Sequence, residues 1–305
     1  MRLIEKQWEQ DVGLLPLSSK HKFLYTRLHE RSFQLLKDIP NIAQPVTYND
    51  KINWCKLFDQ QEQSVQAVDK IGAVQYLAER GLEQYNRTIL THADSVEELE
   101  LDKCSGECVI KNNHDSGSTR FLNFNKHIDF SPHIRYYNER LKKEYGLRNA
   151  EWQYSMIKPQ VLIEQRLSND IPADYKFHCC NGQVVWCQYI YDRFNGTKEI
   201  NVLPDGTDTG ILFDTNFKKG NTFNIPSTWD EMLELASTLS KPYKYVRVDL
   251  FSVDDKVYFG ELTFFPRGGC YTGKGQEQLG KLLEIDTTTY KEPVWSQEKI
   301  HARFH

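Results

Sequence analysis

The chain has 305 residues, a length that suits one large domain or two moderate ones. Its formal net charge is −4, so no global basic field is present to attract nucleic acid or an anionic membrane. No apolar run approaches the ~20 residues that span a bilayer, and acidic residues interrupt the N-terminal region where a signal peptide needs its apolar segment. We therefore expect a cytoplasmic protein without an integral membrane segment.

The seven cysteines are scattered along the chain and odd in number. Cys104 and Cys108 form a close pair, but no second CxxC and no paired His motif accompanies them. A structural zinc site needs four such ligands at suitable spacing. The sequence therefore predicts reduced, partly buried thiols rather than a zinc site.

The N-terminal half of the chain is predicted to begin with a mostly helical segment and to continue with helices and short strands. Residues 1–60 form a helical N-terminal segment, ahead of a main domain over residues 61–305. Apolar residues at helical spacing predict a helix over 64–80, which Gly81 can end. Short strand signals follow around 88–90 and 108–111, and a Ser-Pro start predicts a helix over 131–145.

The C-terminal half is predicted to contain two hairpins separated by a helix. A strand over 160–167 is followed by a hairpin whose Asn181–Gly182 turn is of type I′. Thr228 and Glu231 predict a capping box for a helix over 227–240, with Leu233 in its apolar stripe. This mixture of hairpins and helices favours the α+β class with antiparallel sheets over a doubly wound parallel fold.

The hairpin VRVDLFSVDDKVYFGELTFFP, residues 246–266, carries charges inside its apolar strands. A three-residue loop pairs Asp249 with Glu261 and Arg247 with Thr263, and places all four on one face. Facing carboxylates repel each other unless a cation lies between them, and Mg²⁺ accepts one or two carboxylates. From the hairpin alone, a magnesium site and an ion pair of Arg247 with either carboxylate remain alternatives.

The segment GGCYTGKG, residues 268–275, matches the start of a P-loop. Gly275, however, stands where the motif needs a hydroxyl, and the preceding strand belongs to a tight hairpin rather than a βαβ unit. We therefore reject a P-loop here and retain a glycine-rich substrate or anion loop.

A second glycine-bearing loop, in CVIKNNHDSGSTRF, follows a short strand that ends at Lys111. A lysine followed by a flexible Ser/Gly loop suits a polyphosphate, although an ordinary surface loop has the same composition. The adjacent letters His114, Asp115 and Ser116 do not make a hydrolase triad, because sequence neighbours rarely form one. Lysines and carboxylates recur from residue 70 to residue 261, an order that indicates a nucleotide gripped between two lobes.

Taken together, these segments resemble the ATP-grasp superfamily, in its TupA-like (teichuronopeptide-biosynthesis) branch. The resemblance covers roughly residues 45–275 and implies an ATP-grasp fold in which two lobes with antiparallel sheets grip a nucleotide. It implies a smaller lobe over about 100–165 and a C-terminal lobe with the metal site over about 166–285. The segments that carry it are YNDKINWCKLFDQ, VDK, VIKNNHDSGS, IKPQVLIEQRL, DYKFHCCNGQV, YVRVDLF and YFGELTFFP.

The resemblance implies a nucleotide site. Two lysines would contact the ATP phosphates under the loop 113–118, a glutamate and the backbone after it would hold the adenine, and an aspartate would lie near the ribose. The implied residues are Lys70, Lys111, Asn113, Ser116, Gly117, Ser118, Glu164, Gln165, Leu167 and Asp174.

The resemblance also implies a reaction centre. Asp249 and Glu261 would bind Mg²⁺, Arg247 would stabilise the developing anion, and Lys176 would lie near the nucleotide or the acceptor. Thr263 stands where many ATP-grasp ligases have an asparagine. The loop 266–275 would help to bind the carboxyl substrate through Arg267, Gly268 and Gly269.

The activity implied by the resemblance is an ADP-forming carboxylate–amine ligase that uses ATP and Mg²⁺ and proceeds through an acyl phosphate. Its partners would be small-molecule amines and carboxylates, with an amino acid or other amine joined to a uronic-acid carboxyl in surface or capsular polysaccharide biosynthesis. A glycan kinase and a non-catalytic nucleotide-binding module are the alternatives. The residues indicate neither a general base nor an oligomeric state.

Overall fold

The computed structural model describes residues 2–193 and 195–296. No helix in these ranges is both long enough and apolar enough to cross a membrane. The helices are α1 (Arg2–Val12), α2 (Ser19–Leu36), α3 (Tyr48–Phe58), α4 (Gln63–Val68), α5 (Gly72–Ala78), α6 (Ser131–Leu141), α7 (Trp229–Ser240) and α8 (Gln276–Leu282). The strands are β1 (Ile89–Ala93), β2 (Glu107–Asn112), β3 (Arg120–Asn123), β4 (Val161–Gln165), β5 (Asp174–Cys180), β6 (Gln183–Tyr191), β7 (Lys198–Val202), β8 (Lys218–Lys219), β9 (Tyr245–Val253) and β10 (Lys256–Thr263).

The chain divides by its internal contacts into two compact units. We call the first the six-stranded unit, and it comprises the described parts of Met1–Glu62, Arg148–Trp152 and Pro172–Ser296. We call the second the four-stranded unit, and it comprises Gln63–Leu147 and Gln153–Ile171. The helices α1 to α3 therefore pack in the same unit as strands β5 to β10.

The six-stranded unit is built on a sheet with the strand order β10-β9-β5-β6-β7-β8, which is antiparallel except between β7 and β8. Asn181 and Gly182 have φ angles of 51° and 79°, so the predicted type I′ turn between β5 and β6 is confirmed. Phe177 and Cys179 point to the sheet face that α7 covers. Because side chains alternate along a strand, Lys176 and His178 point to the opposite face.

Helix α3 lies in the core of the six-stranded unit. Ten of its eleven residues are buried, including Tyr48, Trp54 and Phe58. It packs against α2, α8 and the turn Pro266–Gly269. A helix that is buried on nearly all sides uses its polar residues for internal hydrogen bonds, because water cannot reach them.

The four-stranded unit is built on an antiparallel sheet with the strand order β1-β4-β2-β3. Its core includes Ile110 of β2, Ile163 of β4 and Tyr137 of α6. The helix α6 begins at Ser131 as predicted but ends at Leu141, four residues before the predicted end. Both units combine helices with antiparallel sheets, so the predicted α+β class is confirmed.

The predicted single helix over 64–80 is wrong. The structure has two short helices, α4 and α5, and the break between them contains Asp69 and Lys70. The Asp69 side chain accepts a hydrogen bond from the backbone N–H of Ile71 at 3.0 Å, within the break. Apolar spacing alone did not reveal this local competition between side chain and backbone.

The predicted capping box at the start of α7 is also wrong. Thr228 caps no backbone amide, and its hydroxyl instead donates to Ser252 Oγ at 2.8 Å. The buried stripe of α7 contains Leu235 rather than Leu233. Packing against the sheet decides both features, and neither depends on the helix sequence alone.

Candidate functional site

The register of the β9–β10 hairpin places two carboxylates opposite each other. Asp249 pairs with Glu261, and Arg247 pairs with Thr263, as predicted. The predicted reason was wrong, because the turn has two residues, Asp254 and Asp255, rather than three. The register shifts by one residue between Phe259 and Glu261, and this bulge produces the predicted pairing.

Gly260 makes this bulge possible. A Cβ atom at this position would lie 2.7 Å from the backbone oxygen of Asp249. Without the shift at Gly260, the two-residue turn would pair Asp249 with residue 260 and direct Glu261 to the other face. The glycine therefore sets which side chains share the face with Asp249.

Four polar side chains of the hairpin form a connected cluster. The Arg247 guanidinium donates to the two Asp249 oxygens at 2.6 and 2.7 Å, to Thr263 at 3.1 Å and to Glu261 at 3.4 Å. Asp249 is only 2% exposed, whereas the Glu261 side chain is 43% exposed. The cluster is therefore buried at Asp249 and open to solvent at Glu261.

The neighbouring strand β5 adds charge to the same face. Lys176 lies directly across from Asp249 and contacts both Asp249 and Asp174. Arg193 also contacts Asp174, at 2.5 Å. Burial raises the pKa of Asp249, and the attraction of Arg247 and Lys176 opposes that rise. Burial also acts to raise the pKa of Asp174, but Lys176 and Arg193 outweigh it and lower that pKa.

Asp249 and Glu261 supply a donor set that fits Mg²⁺ only in part. Two carboxylates on adjacent strands are hard oxygen ligands, and Mg²⁺ usually combines one or two of these with phosphate and water oxygens. Within residues 2–193 and 195–296, no group of three or more His, Cys, Asp or Glu side chains could hold a metal ion. Asp249 and Glu261 could therefore supply two of the ligands of such a metal.

The four-stranded unit contains a second charged cluster, at the centre of its sheet. Lys111 and Arg87 contact the same carboxylate oxygen of Glu164, at 2.7 and 2.6 Å. Burial, followed by repulsion from Arg87, lowers the pKa of Lys111 to about 7. Glu164 is buried as well, and the attraction of Arg87 and Lys111 lowers its pKa. Two basic side chains share one carboxylate here, and a bound anion would favour the protonated form of Lys111.

The loop 113–118 is held by a network centred on Asp115. The Asp115 carboxylate accepts hydrogen bonds from Ser118, at 2.5 Å, and from Arg140 of α6, at 2.6 Å. The Lys70 ammonium donates to the backbone oxygens of Asn113 and Asp115. Lys70 thus reaches the loop from the break between α4 and α5, and Gly117 has a φ of 78° that favours glycine.

Two residues implied to hold adenine lie at the end of β4. Gln165 is the last residue of that strand, and its side-chain nitrogen donates to the backbone oxygen of Glu107. Leu167 follows just beyond the strand.

Ser116 lies in the loop 113–118, and its backbone oxygen accepts a hydrogen bond from Arg140 at 2.9 Å.

The loop after β10 adopts three consecutive left-handed residues. Arg267, Gly268 and Gly269 have φ angles of 53°, 61° and 64°. The Arg267 guanidinium lies 2.6 Å from a carboxylate oxygen of Asp214, and its side chain is 48% exposed. Arginine binds carboxylates through its guanidinium, and about half of this side chain is open to solvent. Arg267 could therefore bind a second carboxylate besides Asp214.

The end of the same loop lines a cavity of about 550 Å³ in the six-stranded unit. Its wall includes Tyr271 and Gly273 from the loop, and Asn49 from α3. The Tyr271 hydroxyl also reaches Gln188 on β6, at 3.4 Å. The cavity therefore adjoins the loop that the sequence predicts to bind substrate.

Sequence reasoning did not identify several residues that contact the predicted site residues. Arg87 and Arg140 each lie far along the chain from the partner they contact, so local patterns could not indicate them. The same holds for Arg193 and Asp214.

The seven cysteines are free thiols, six of them buried, as predicted.

A family model described as TupA-like ATP-grasp matches residues 50–284 of the chain. The match spans more than half of the sequence, so the predicted resemblance is confirmed. Among curated proteins, no sequence matches this chain.

The comparison with solved structures matches this chain to several ligases. D-alanine–D-alanine ligase from Bacillus anthracis is 15% identical, with a TM-score of 0.41, and the match covers 65% of this chain and 57% of that one. The ATP-grasp ligase PsnB, complexed with a minimal precursor, is 13% identical, with a TM-score of 0.38 and coverage of 73% and 61%. D-alanine–D-alanine ligase from Helicobacter pylori is 14% identical, with a TM-score of 0.42 and coverage of 79% and 68%. This chain thus spans less than two thirds of the first two enzymes.

Proposed function

Because the chain belongs to the TupA-like ATP-grasp family, we propose that it is an ATP-dependent carboxylate–amine ligase that releases ADP and phosphate. The observation that carries the proposal is the cluster of Arg247, Asp249 and Glu261 on one sheet face, with Lys176 from the next strand. Phosphoryl transfer is catalysed mainly by positioning and by electrostatic stabilisation, which such a cluster can supply.

In this proposal, Asp249 and Glu261 hold Mg²⁺. When bound, the metal would neutralise charge on the phosphate oxygens of ATP. Lys111 and Lys70 would bind the ATP phosphates in the four-stranded unit, where Lys111 shares one carboxylate with another cation. A bound polyphosphate would favour the charged form of Lys111 and would be attracted to that charge in turn.

The reaction would begin when a carboxylate oxygen attacks the γ-phosphorus of ATP, which forms an acyl phosphate and releases ADP. Arg247 would stabilise the charge that develops, and its bidentate contact with Asp249 holds the guanidinium in place beforehand. An amine would then attack the acyl carbon, a C–N bond would form, inorganic phosphate would leave, and the amine proton would pass to solvent. Lys176 would orient the nucleotide or the acceptor.

The substrate side of the proposal is an amino acid or other amine and a uronic-acid carboxyl, joined in surface polysaccharide biosynthesis in the cytoplasm. The half-exposed side chain of Arg267 supports a carboxylate partner at the loop after β10. Residues 61–305, of which 194 and 297–305 lie outside the described residues, would form the ATP-grasp domain, with a smaller lobe over about 100–165 and a C-terminal lobe over about 166–285.

The test is to incubate the protein with MgATP and a uronic-acid glycan, with and without hydroxylamine, and to analyse the glycan by mass spectrometry. A glycan hydroxamate together with released ADP is the expected result, because hydroxylamine captures an acyl phosphate. A stable phosphoester would indicate a glycan kinase instead. ATP binding without turnover, across a panel of uronic acids and amines, would contradict the ligase proposal.

A further inference from the structure

Lys56 of α3 is a fully buried lysine whose hydrogen-bond partners are neutral. Its ammonium donates to the backbone oxygens of Asn149 and Gly268, each at 2.7 Å, and the residue is 0% exposed. Burial lowers the pKa of Lys56 to about 8. A buried ammonium is costly unless hydrogen bonds satisfy it, so these two carbonyls account for its presence in the core.

One of these two carbonyls belongs to the left-handed turn after β10. Arg267 has a φ of 53°, which is an unfavourable conformation for a residue with a side chain. Such a conformation persists only where neighbouring contacts hold it. The Lys56 ammonium holds the Gly268 carbonyl, and the Asn53 side chain donates to the Gly269 carbonyl at 2.9 Å.

The third contact from α3 lies just after the same turn. Asn49 accepts a hydrogen bond from the Tyr271 backbone N–H at 3.0 Å and donates one to its backbone oxygen at 2.9 Å. Asn49, Asn53 and Lys56 are spaced by four and three residues, so they lie on one face of the helix. That face contacts the backbone at residues 268 and 269 of the turn and at residue 271 just after it.

We propose that Lys56 is a positioning residue, which fixes the turn 266–269 and thereby sets where Arg267 meets the acceptor carboxylate. The role for the acceptor rests on the proposed function, whereas the clamp on the turn does not. Nucleotide binding should not depend on Lys56, because its contacts are to the turn and to Asn149.

The same helix offers a matched control. Lys51 also donates to two backbone oxygens, those of Gly280 at 2.8 Å and Leu283 at 2.7 Å. These belong to α8 and the residue after it, not to the turn 266–269. Lys51→Met therefore removes the same number of hydrogen bonds from α3 without touching the proposed clamp.

The experiment compares Lys56→Met and Lys51→Met in the full chain by hydrogen exchange with mass spectrometry, by calorimetric ATP binding and by acceptor kinetics. In Lys56→Met we expect exchange over 266–271 and the KM for the uronic acid to rise by about tenfold, because the turn loses a hydrogen bond to a charged donor. The ATP dissociation constant should stay within about twofold. Lys51→Met should raise exchange only around 280–283.

Equal exchange over 266–271 in the two variants would overturn the clamp, and so would a loss of ATP affinity as large as the rise in KM. If Lys56→Met does not fold, Asn53→Ala removes the neighbouring bond to the same turn and must loosen it for the proposal to stand. If the wild type forms no hydroxamate, the proposed function and the acceptor role fail together, whereas hydrogen exchange still decides the clamp.

Discussion

Asp249 lies directly opposite Glu261 because Gly260 forms a bulge between them and the hairpin turn. The two-residue turn at Asp254 and Asp255 alone would set a different register. One glycine thus brings the second carboxylate onto the face that already carries Arg247 and Lys176.

Removing the charge of Glu261 should abolish turnover while leaving the fold intact. Glu261→Gln keeps the size of a side chain that is 43% exposed, so we expect a change in melting temperature of only a few degrees. Turnover in MgATP should fall by about 10²-fold or more, because the Mg²⁺ that would neutralise the developing charge loses one of its two proposed protein ligands. Wild-type rates in this variant would contradict the proposed metal site.

Asp249→Asn should also abolish turnover, but with a loss of stability. Asp249 pairs with Arg247 and Lys176 in a buried setting, so its neutralisation removes one anionic partner from each of these buried cations. The expected loss is about 3 kcal/mol of unfolding free energy, measured by urea denaturation. A variant as stable as the wild type would show that the pairing contributes little.

The bulge at Gly260 can be tested with Gly260→Ala. The added Cβ would meet the Asp249 backbone oxygen at 2.7 Å, so we expect a loss of about 1–3 kcal/mol and a large fall in turnover. Gly13→Ala is a suitable control, because its Cβ would lie 3.4 Å from the Gln10 oxygen, an ordinary contact. Similar turnover in the two variants would show that register does not matter to the site.

Lys111 should couple nucleotide binding to proton uptake. Its pKa is lowered to about 7, so in the nucleotide-free protein the Lys111 amine is largely deprotonated at pH 8. A bound polyphosphate would raise that pKa. Calorimetry of ATP binding at pH 8 in two buffers of different ionisation enthalpy should show proton uptake. Uptake should vanish in Lys111→Met, and equal uptake in both proteins would contradict the assignment.

The lowered pKa of Lys111 also predicts the direction in which stability changes with pH. Because its pKa is lower in the folded protein than in the unfolded chain, the unfolded chain binds more protons between about pH 7 and 10.5. Its contribution to the unfolding free energy therefore rises with pH across that window. The stability of the wild type relative to Lys111→Met should rise with pH over the same range in urea titrations.

The loop 113–118 should lose its order when Arg140 is removed. Arg140→Gln takes away the contacts to the Asp115 carboxylate and the Ser116 backbone oxygen, so we expect ATP to bind about tenfold more weakly. Arg135→Gln changes an exposed arginine of the same helix and should leave ATP affinity unchanged. Fluorescence titration with a nucleotide analogue measures both variants, and equal affinities would exclude the loop from the nucleotide site.

The sequence by itself determined what depends on near neighbours along the chain. Alternation of apolar and charged residues predicted that Arg247 and Asp249 share a face, and an Asn-Gly pair predicted the β5–β6 turn. Both features follow from the backbone geometry of a few consecutive residues. The α+β class followed from the order of such elements.

Only the tertiary structure decided which distant residues meet. Lys56 contacts a carbonyl 212 positions away, and Lys176 contacts a carboxylate 73 positions away. The helix predicted over 64–80 breaks at Asp69, whose side chain competes with the backbone. Long-range contacts depend on how whole elements pack, and local spacing carries no information about that packing.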